Sequence, residues 1–251
     1  MKKLKLSVCL FLAVALGVQA QEKVSFRYNP PIGEKMTYNT AMNMDIEGEQ
    51  SMIMDMNMVM TQTAKDKGAD QIFNIVSQIE SIKMDMNMQM MMMSYDSENP
   101  DESNPVAQQM GEQFGPLLKK DIHVKINDRA EVIDITDAES FSGLGDIKSM
   151  FSAASFPEQP ITEGESWTMA VPNEQLGIDL NYKLTYVGKE DGLIRVNLES
   201  VPAEEATAMS ITANGFNLYD PKTFVIVKSE ITSKIDAQGT SVTNKVVMEK
   251  Q

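Results

Sequence analysis

The sequence predicts a mainly β (α+β) fold: a strongly curved antiparallel sheet, or incomplete β-barrel, of about eleven strands with two short helices on its concave side. Three observations lead there. From Val24 onward apolar and polar residues alternate in stretches closed by turn residues, the period of two that marks half-buried strands. Only two stretches, one after Asn104 and one after Thr136, repeat at helical spacing instead. No internal repeat or linker interrupts the chain beyond its leader, so one domain is the simplest organisation.

The leader comes first. Lys2, Lys3 and Lys5 precede an apolar run from Leu6 to Val18, and Val18-Gln19-Ala20 ends in a small residue suited to signal peptidase. That run is shorter than the roughly 20 residues a membrane span needs. The expected organisation is therefore a signal peptide over 1–20, cleaved after Ala20, and a single β-rich domain over 21–251. The expected location is the periplasm or the exterior, with no membrane span after cleavage. Cys9 is the only cysteine and lies inside the leader, so the mature chain has no disulfide to form. Val8 before it and the short run ahead of it argue against acylation. Without Lys2, Lys3 and Lys5 the chain holds 19 basic and 36 acidic side chains, a net charge of −17. That field repels nucleic acid and anionic membrane surfaces and favours solubility.

The first strand carries Met36, Tyr38, Thr40, Met42, Met44 and Ile46 on one parity and turns at Glu47-Gly48-Glu49-Gln50. The second carries Met52, Met54, Met56, Met58 and Met60. The two rows share a face only if paired positions sum to an even number, as a three-residue turn around Glu49 gives; a two-residue Gly48-Glu49 turn would place them on opposite faces. A third run starts with Phe73 and Ile75, changes parity near Glu80-Ser81, and continues as Ile82, Met84, Met86, Met88 and Met90. Such a parity change marks a β-bulge. After an acidic loop, Ser103 or Asn104 caps a helix with Pro105 in its first turn, and Val106, Met110, Phe114 and Leu117 recur at helical spacing. A hairpin through Asn127-Asp128-Arg129 follows. Thr136-Asp137-Ala138-Glu139 then has the form of a capping box opening a second, glycine-weakened helix. From Trp167, itself placed as a core anchor, strands alternate with turns at Asp191-Gly192, Asp220-Pro221 and Gln238-Gly239.

Little of this is catalytic material. His123 is the single histidine and faces solvent between Ile122 and Val124, beside Asp121 and Lys125. With no cysteine and no second histidine, neither a nucleophile–base pair nor a zinc set can be assembled. The carboxylates show no spacing that singles out a pair, and the Asp96–Glu102 loop lacks the glycine and terminal glutamate of an EF-hand. No enzyme activity, cofactor or metal is expected from them.

What stands out is methionine. Of 21 methionines, 14 lie between Met42 and Met93, nearly all on one strand parity. β-Branched residues usually fill such positions, so the excess asks for a reason. One is an ordinary core wall made of soft side chains. A second is a pliable apolar surface for lipid or acyl chains, with Met42, Met44, Met52, Met54, Met56, Met58, Met84, Met86, Met88 and Met90 as the ligand-binding residues. A third is copper(I) held by thioethers.

Four segments carry a resemblance: the Met/Asp/Asn-rich first hairpin, Ser94-Tyr95-Asp96-Ser97-Glu98-Asn99-Pro100, the hairpin through Asn127-Asp128-Arg129, and Pro160-Ile161-Thr162-Glu163-Gly164-Glu165-Ser166-Trp167. Together they resemble an uncharacterised family of exported Gram-negative bacterial β-rich proteins, a domain of unknown function. More distantly, the order of strands and helices looks like the half-barrel of periplasmic lipoprotein carriers, and that likeness implies an apolar cavity under helices. The functional expectation is an exported periplasmic binding or carrier protein for a hydrophobic ligand. The alternative is a structural or interaction protein whose partner is another envelope protein. An open or a sealed methionine face separates the two.

Overall fold

The computed structural model describes residues 22–49, 51–89, 91–101, 103–136, 155–173, 178–202, 209–237 and 239–251. Within them, twelve strands form one antiparallel sheet. They are β1 (Lys35–Glu47), β2 (Met52–Lys67), β3 (Phe73–Met88), β4 (Met91–Asp96), β5 (Ile122–Ile126), β6 (Val132–Thr136), β7 (Ser166–Asn173), β8 (Ile178–Glu190), β9 (Leu193–Ser200), β10 (Met209–Tyr219), β11 (Ile226–Ala237) and β12 (Thr240–Lys250). In space the order is β6, β5, β3, β2, β1, β12, β11, β10, β9, β8, β7, with β4 also paired to β3.

The count of strands corrects the expected eleven. Gln89 takes a φ of 51°, the third run reverses there, and β4 returns so that Met88 faces Met91 and Met84 faces Tyr95. Neither Gln89 nor Met90 is a usual turn former, which is why the run reads as continuous in the sequence. β3 is consequently shared. On one edge it pairs with β5 over Phe73–Ser77 and with β4 over Lys83–Met88. Between those stretches its carbonyls accept from Lys119 N at 2.8 Å (Ile79) and Ser97 N at 2.9 Å (Ile82).

The parity change in β3 is a bulge. Val59 pairs with Ser81 but Met60 pairs with Ile79, leaving Glu80 as the extra residue. The bulge keeps Phe73, Ile75 and Ile79 on the same face as Ile82 and Met84, and all five are buried. Glu80 itself accepts hydrogen bonds from Lys35 Nζ at 2.8 Å and Thr61 Oγ1 at 3.1 Å. The Lys35 bond, opposed by partial desolvation and aided by Thr61, holds the Glu80 carboxyl below its usual range. A carboxyl whose pKa falls on folding adds stability above its unfolded pKa and loses it as pH drops through the folded one. Glu80→Gln should thus cost about 0.5 kcal/mol at neutral pH, the scale of a half-exposed ion pair. The difference should vanish in acid. Urea titrations across pH check this, and a deficit that persists in acid would rule the linkage out.

One helix is described, α1 (Pro105–Phe114). Asn104 Oδ1 caps it, accepting from Val106 N at 2.9 Å and Ala107 N at 3.4 Å. Gly115-Pro116 ends it in a single 3-10 turn. Its Phe114 ring packs on Tyr95 of β4, centroids 5.8 Å apart. The second helix expected after Thr136 lies outside the described residues. The β8–β9 hairpin turns as expected, with Asp191 (φ 49°) and Gly192 (φ 84°) both in the left-handed region that a type I′ turn requires.

An aromatic part of the core lies at one end of the strands, where the segment 22–34 crosses them. That segment is held by Val24 N to Ile161 O (2.7 Å), Tyr28 N to Asp128 O (2.7 Å), Asn29 N to Thr223 O (2.8 Å) and Gly33 N to Ala64 O (2.8 Å). Phe26 is its fully buried hub, ringed by Phe156, Trp167, Tyr186 and Phe224 at centroid distances of 5.2–5.6 Å. Trp167 anchors the cluster further by donating from Nε1 to Ser155 O at 2.6 Å. Phe156 in turn exchanges backbone and side-chain bonds with Arg129 of the β5–β6 turn. Residues from both ends of the strand order therefore meet around Phe26.

Candidate functional site

Residues directly opposite in antiparallel strands share a face. β1 and β2 pair with Met42 opposite Met56, Met44 opposite Met54 and Ile46 opposite Met52. Every pair sums to an even number, so the two methionine rows lie on one face. β2 and β3 continue them: Met56 opposite Met84, Met54 opposite Met86, Met52 opposite Met88. β4 adds Tyr95, Met93 and Met91. Three cross-strand rows result: Met42-Met56-Met84-Tyr95, Met44-Met54-Met86-Met93 and Ile46-Met52-Met88-Met91.

Eight of the ten methionines expected to form the site thus stand in these rows, and Met58, opposite Thr40 and Ile82, lies on the same face in the adjoining row. Met58 and Met84 are buried in the core; Met42, Met44, Met52, Met54, Met56 and Met86 are half-buried; Met88 is 37% exposed. Met90 lies outside the described residues. Met91 and Met93 also belong to the face; sequence reasoning missed them because it did not place the turn at Gln89. The thioethers tile a surface four strands wide. A depression of about 280 Å³ lined by Ile46, Ser51, Met52, Met88 and Gln89 opens at the hairpin tips. Helix α1 stands over the same face, through Tyr95.

The rows continue in the other direction. Val246, Asn244 and Val242 of β12 sit opposite Met42, Met44 and Ile46. β11 supplies Ile231, Ser233 and Ile235, and β10 Gly215, Ala213 and Ile211. No charged residue occupies any position of the three rows. Apart from the Tyr95 hydroxyl at the edge of the first row, only the middle row carries polar side chains, Ser233 and Asn244, framed above and below by valine and isoleucine. Among the described residues, three buried side-chain oxygens lack a hydrogen-bond partner: Ser77 Oγ, Asn217 Oδ1 and Asn244 Oδ1. Leaving such an oxygen unpaired costs about 1–3 kcal/mol. Ser77 and Asn217 belong to residues at most 1% exposed in the closed core. Asn244 is half-buried and belongs to the methionine face. Its signal in the sequence is a break in the apolar alternation Val242, Val246, Met248.

The opposite face of the same strands is polar. Asn43, Asp55 and Asp85 lie in one row, with Asn43 Nδ2 donating to Asp55 Oδ1 at 2.7 Å. His123 is exposed on β5, flanked by buried Ile122 and Val124. Among the described residues no group of three or more His, Cys, Asp or Glu side chains is placed to hold a metal ion. Among them, too, no helix is long and apolar enough to cross a membrane.

Comparison with known proteins adds two findings. Residues 70–153 match the model of a family of unknown function (DUF6263), a stretch that includes β3, β4 and α1. No curated protein matches the sequence. Among solved structures, one of lipovitellin concerned with lipid–protein interactions is similar over 88% of this chain, with a TM-score of 0.56 and 8% identity. This chain spans 25% of the length of that one. Over about a third of its length the chain is thus similar to that family of unknown function, and its sheet is like part of lipovitellin in fold.

Proposed function

We propose that this is an exported, non-enzymatic binding or carrier protein for a hydrophobic ligand, a lipid or acyl chain, working in the periplasm or outside the cell. The observation that carries the reading is the gradient of exposure along one continuous apolar face. It runs from Ile82 at 0% and Met36 at 1% to Met88 at 37% and Met91 at 55%. A contiguous apolar surface left open to water is the usual mark of a binding site. Unbranched, polarizable thioethers suit one that must re-pack around flexible chains.

The shape follows from the same reading. A flat sheet would hold β6 and β7 about 45 to 50 Å apart, at the usual spacing of neighbouring strands. Both ends nevertheless contribute to the Phe26 cluster, so the sheet is read as strongly curved, an incomplete barrel with the methionine rows inside. Helix α1, and the second helix expected after Thr136, then lie on the concave side. The likeness to lipovitellin supports such a sheet, and the charge of −17 keeps the carrier soluble and away from anionic surfaces.

Binding of the fluorescent apolar probe N-phenyl-1-naphthylamine tests the reading. In a double variant, Met54→Gln with Met86→Gln, two neighbouring amides replace thioethers beneath the ligand. Its affinity should fall at least about tenfold, the cost of desolvating unpaired amides, while far-ultraviolet circular dichroism stays unchanged. Undiminished binding would sink the proposal. Solvent extraction and mass spectrometry of the protein from its own envelope should yield an alkyl-chain compound, and a clean spectrum counts against it.

A further inference from the structure

Apart from the Tyr95 hydroxyl at their edge, the rows are apolar save for one place, and that place is incomplete. Asn244 Oδ1 is buried and accepts no hydrogen bond from the described residues. It lies directly opposite Met44 on one side and Ser233 on the other, with Val242 and Val246 two residues away along its own strand on the same face. Of the three unpaired buried oxygens among the described residues, Ser77 Oγ and Asn217 Oδ1 sit in the closed core, and only Asn244 Oδ1 belongs to the half-buried methionine face. A surface built to hold an amphiphile has a use for such an oxygen, because a donor on the guest completes it.

We infer that the ligand is a neutral alkyl amphiphile bearing a hydroxyl group, whose O–H donates to Asn244 Oδ1 while its chain lies across the methionine rows. This rests on the carrier reading and narrows it. Three features select a neutral hydroxyl. A carboxylate or phosphate offers no donor to a carbonyl oxygen and meets a strongly acidic chain, of net charge −14. An ammonium donates but would be buried among rows that hold no counter-charge. A plain hydrocarbon leaves the oxygen unpaired. A hydroxyl donates without carrying charge, and it fits a long-chain alcohol or an acylglycerol alike.

The test uses the native protein and two probes that differ only in the donor, 1-dodecanol and 1-methoxydodecane, each competing with N-phenyl-1-naphthylamine. The alcohol should bind about tenfold more tightly, the worth of one buried hydrogen bond to a site otherwise left unpaired. In Asn244→Leu the two probes should bind alike, with the ether bound at least as well as in the native protein. Equal affinities in the native protein, or a preference that survives in the variant, overturn the inference and leave the carrier reading standing. If neither probe displaces the dye from the native protein, both fall together.

Discussion

Phe26→Ala is expected to cost about 4 kcal/mol of stability, because deleting a fully buried phenylalanine forfeits its transfer energy and leaves a cavity that rigid neighbours fill poorly. Together those two losses usually come to about 3–5 kcal/mol. The neighbours of Phe26 are rigid in this sense. Four of them are rings, and they come from separate parts of the chain: Phe156 before β7, Trp167 on β7, Tyr186 on β8 and Phe224 in the β10–β11 turn. Each ring contact adds about 0.5–1.5 kcal/mol beyond area burial in favourable geometry, though the contributions overlap. For a domain of this size the midpoint should drop by about 10 °C, read by calorimetry. The loss should be global, since the residue joins both ends of the sheet. A variant that melts within about 2 °C of the parent, a shift worth roughly 1 kcal/mol or less, would show the cluster is dispensable.

Gly215→Ala should be nearly as damaging for the opposite reason. A Cβ built on Gly215 overlaps the carbonyl oxygen of Glu230 and comes within 2.8 Å of Ile231 Cα. The obstacle is backbone of the adjoining strand, so no rotamer change relieves it. Either the β10–β11 ladder opens at Gly215–Ile231 or β11 shifts away from it. Overpacking against a well-ordered core costs about 1–3 kcal/mol when side chains can yield, and backbone collision belongs at or above the upper end. A loss of about 3 kcal/mol in urea denaturation is expected on that scale. Restoration by a second substitution that shortens a nearby side chain is not, and would show that the clash is relieved by side-chain movement after all.

Much of the architecture was legible from residue periodicity. The parity change at Glu80-Ser81 and the Asp191-Gly192 turn follow from local rules that the structure obeys, while the structure chose the even register of the first hairpin and the Asn104 cap from alternatives the sequence left open. β4 was not legible, because its turn uses Gln89 in a left-handed conformation that a glycine or asparagine would have announced. Nor was Phe26, whose importance comes from four rings spread between positions 156 and 224. The methionine face was legible as a parity, and its membership up to Met88 followed. Its openness was not, since alternation says which side is covered and nothing about how well. Asn244 shows the same limit. A polar residue in an apolar strand is visible, but whether its oxygen finds a partner depends on strands that only the fold brings alongside.

The division of β3 between two partners carries a mechanical meaning. Below the bulge the strand is clamped by β5, and its Phe73 packs on Tyr28, centroids 5.6 Å apart. Above it, its outer neighbour is a six-residue flap whose first two residues, Met91 and Met92, are bathed in water. Local opening draws on the parts of a protein with the fewest buried contacts, so the upper half of the strand can loosen while the lower half stays shut. On the carrier reading proposed above, loading and release of a guest would demand the give of one short margin, with the carboxylate-bearing kink at position 80 as its hinge.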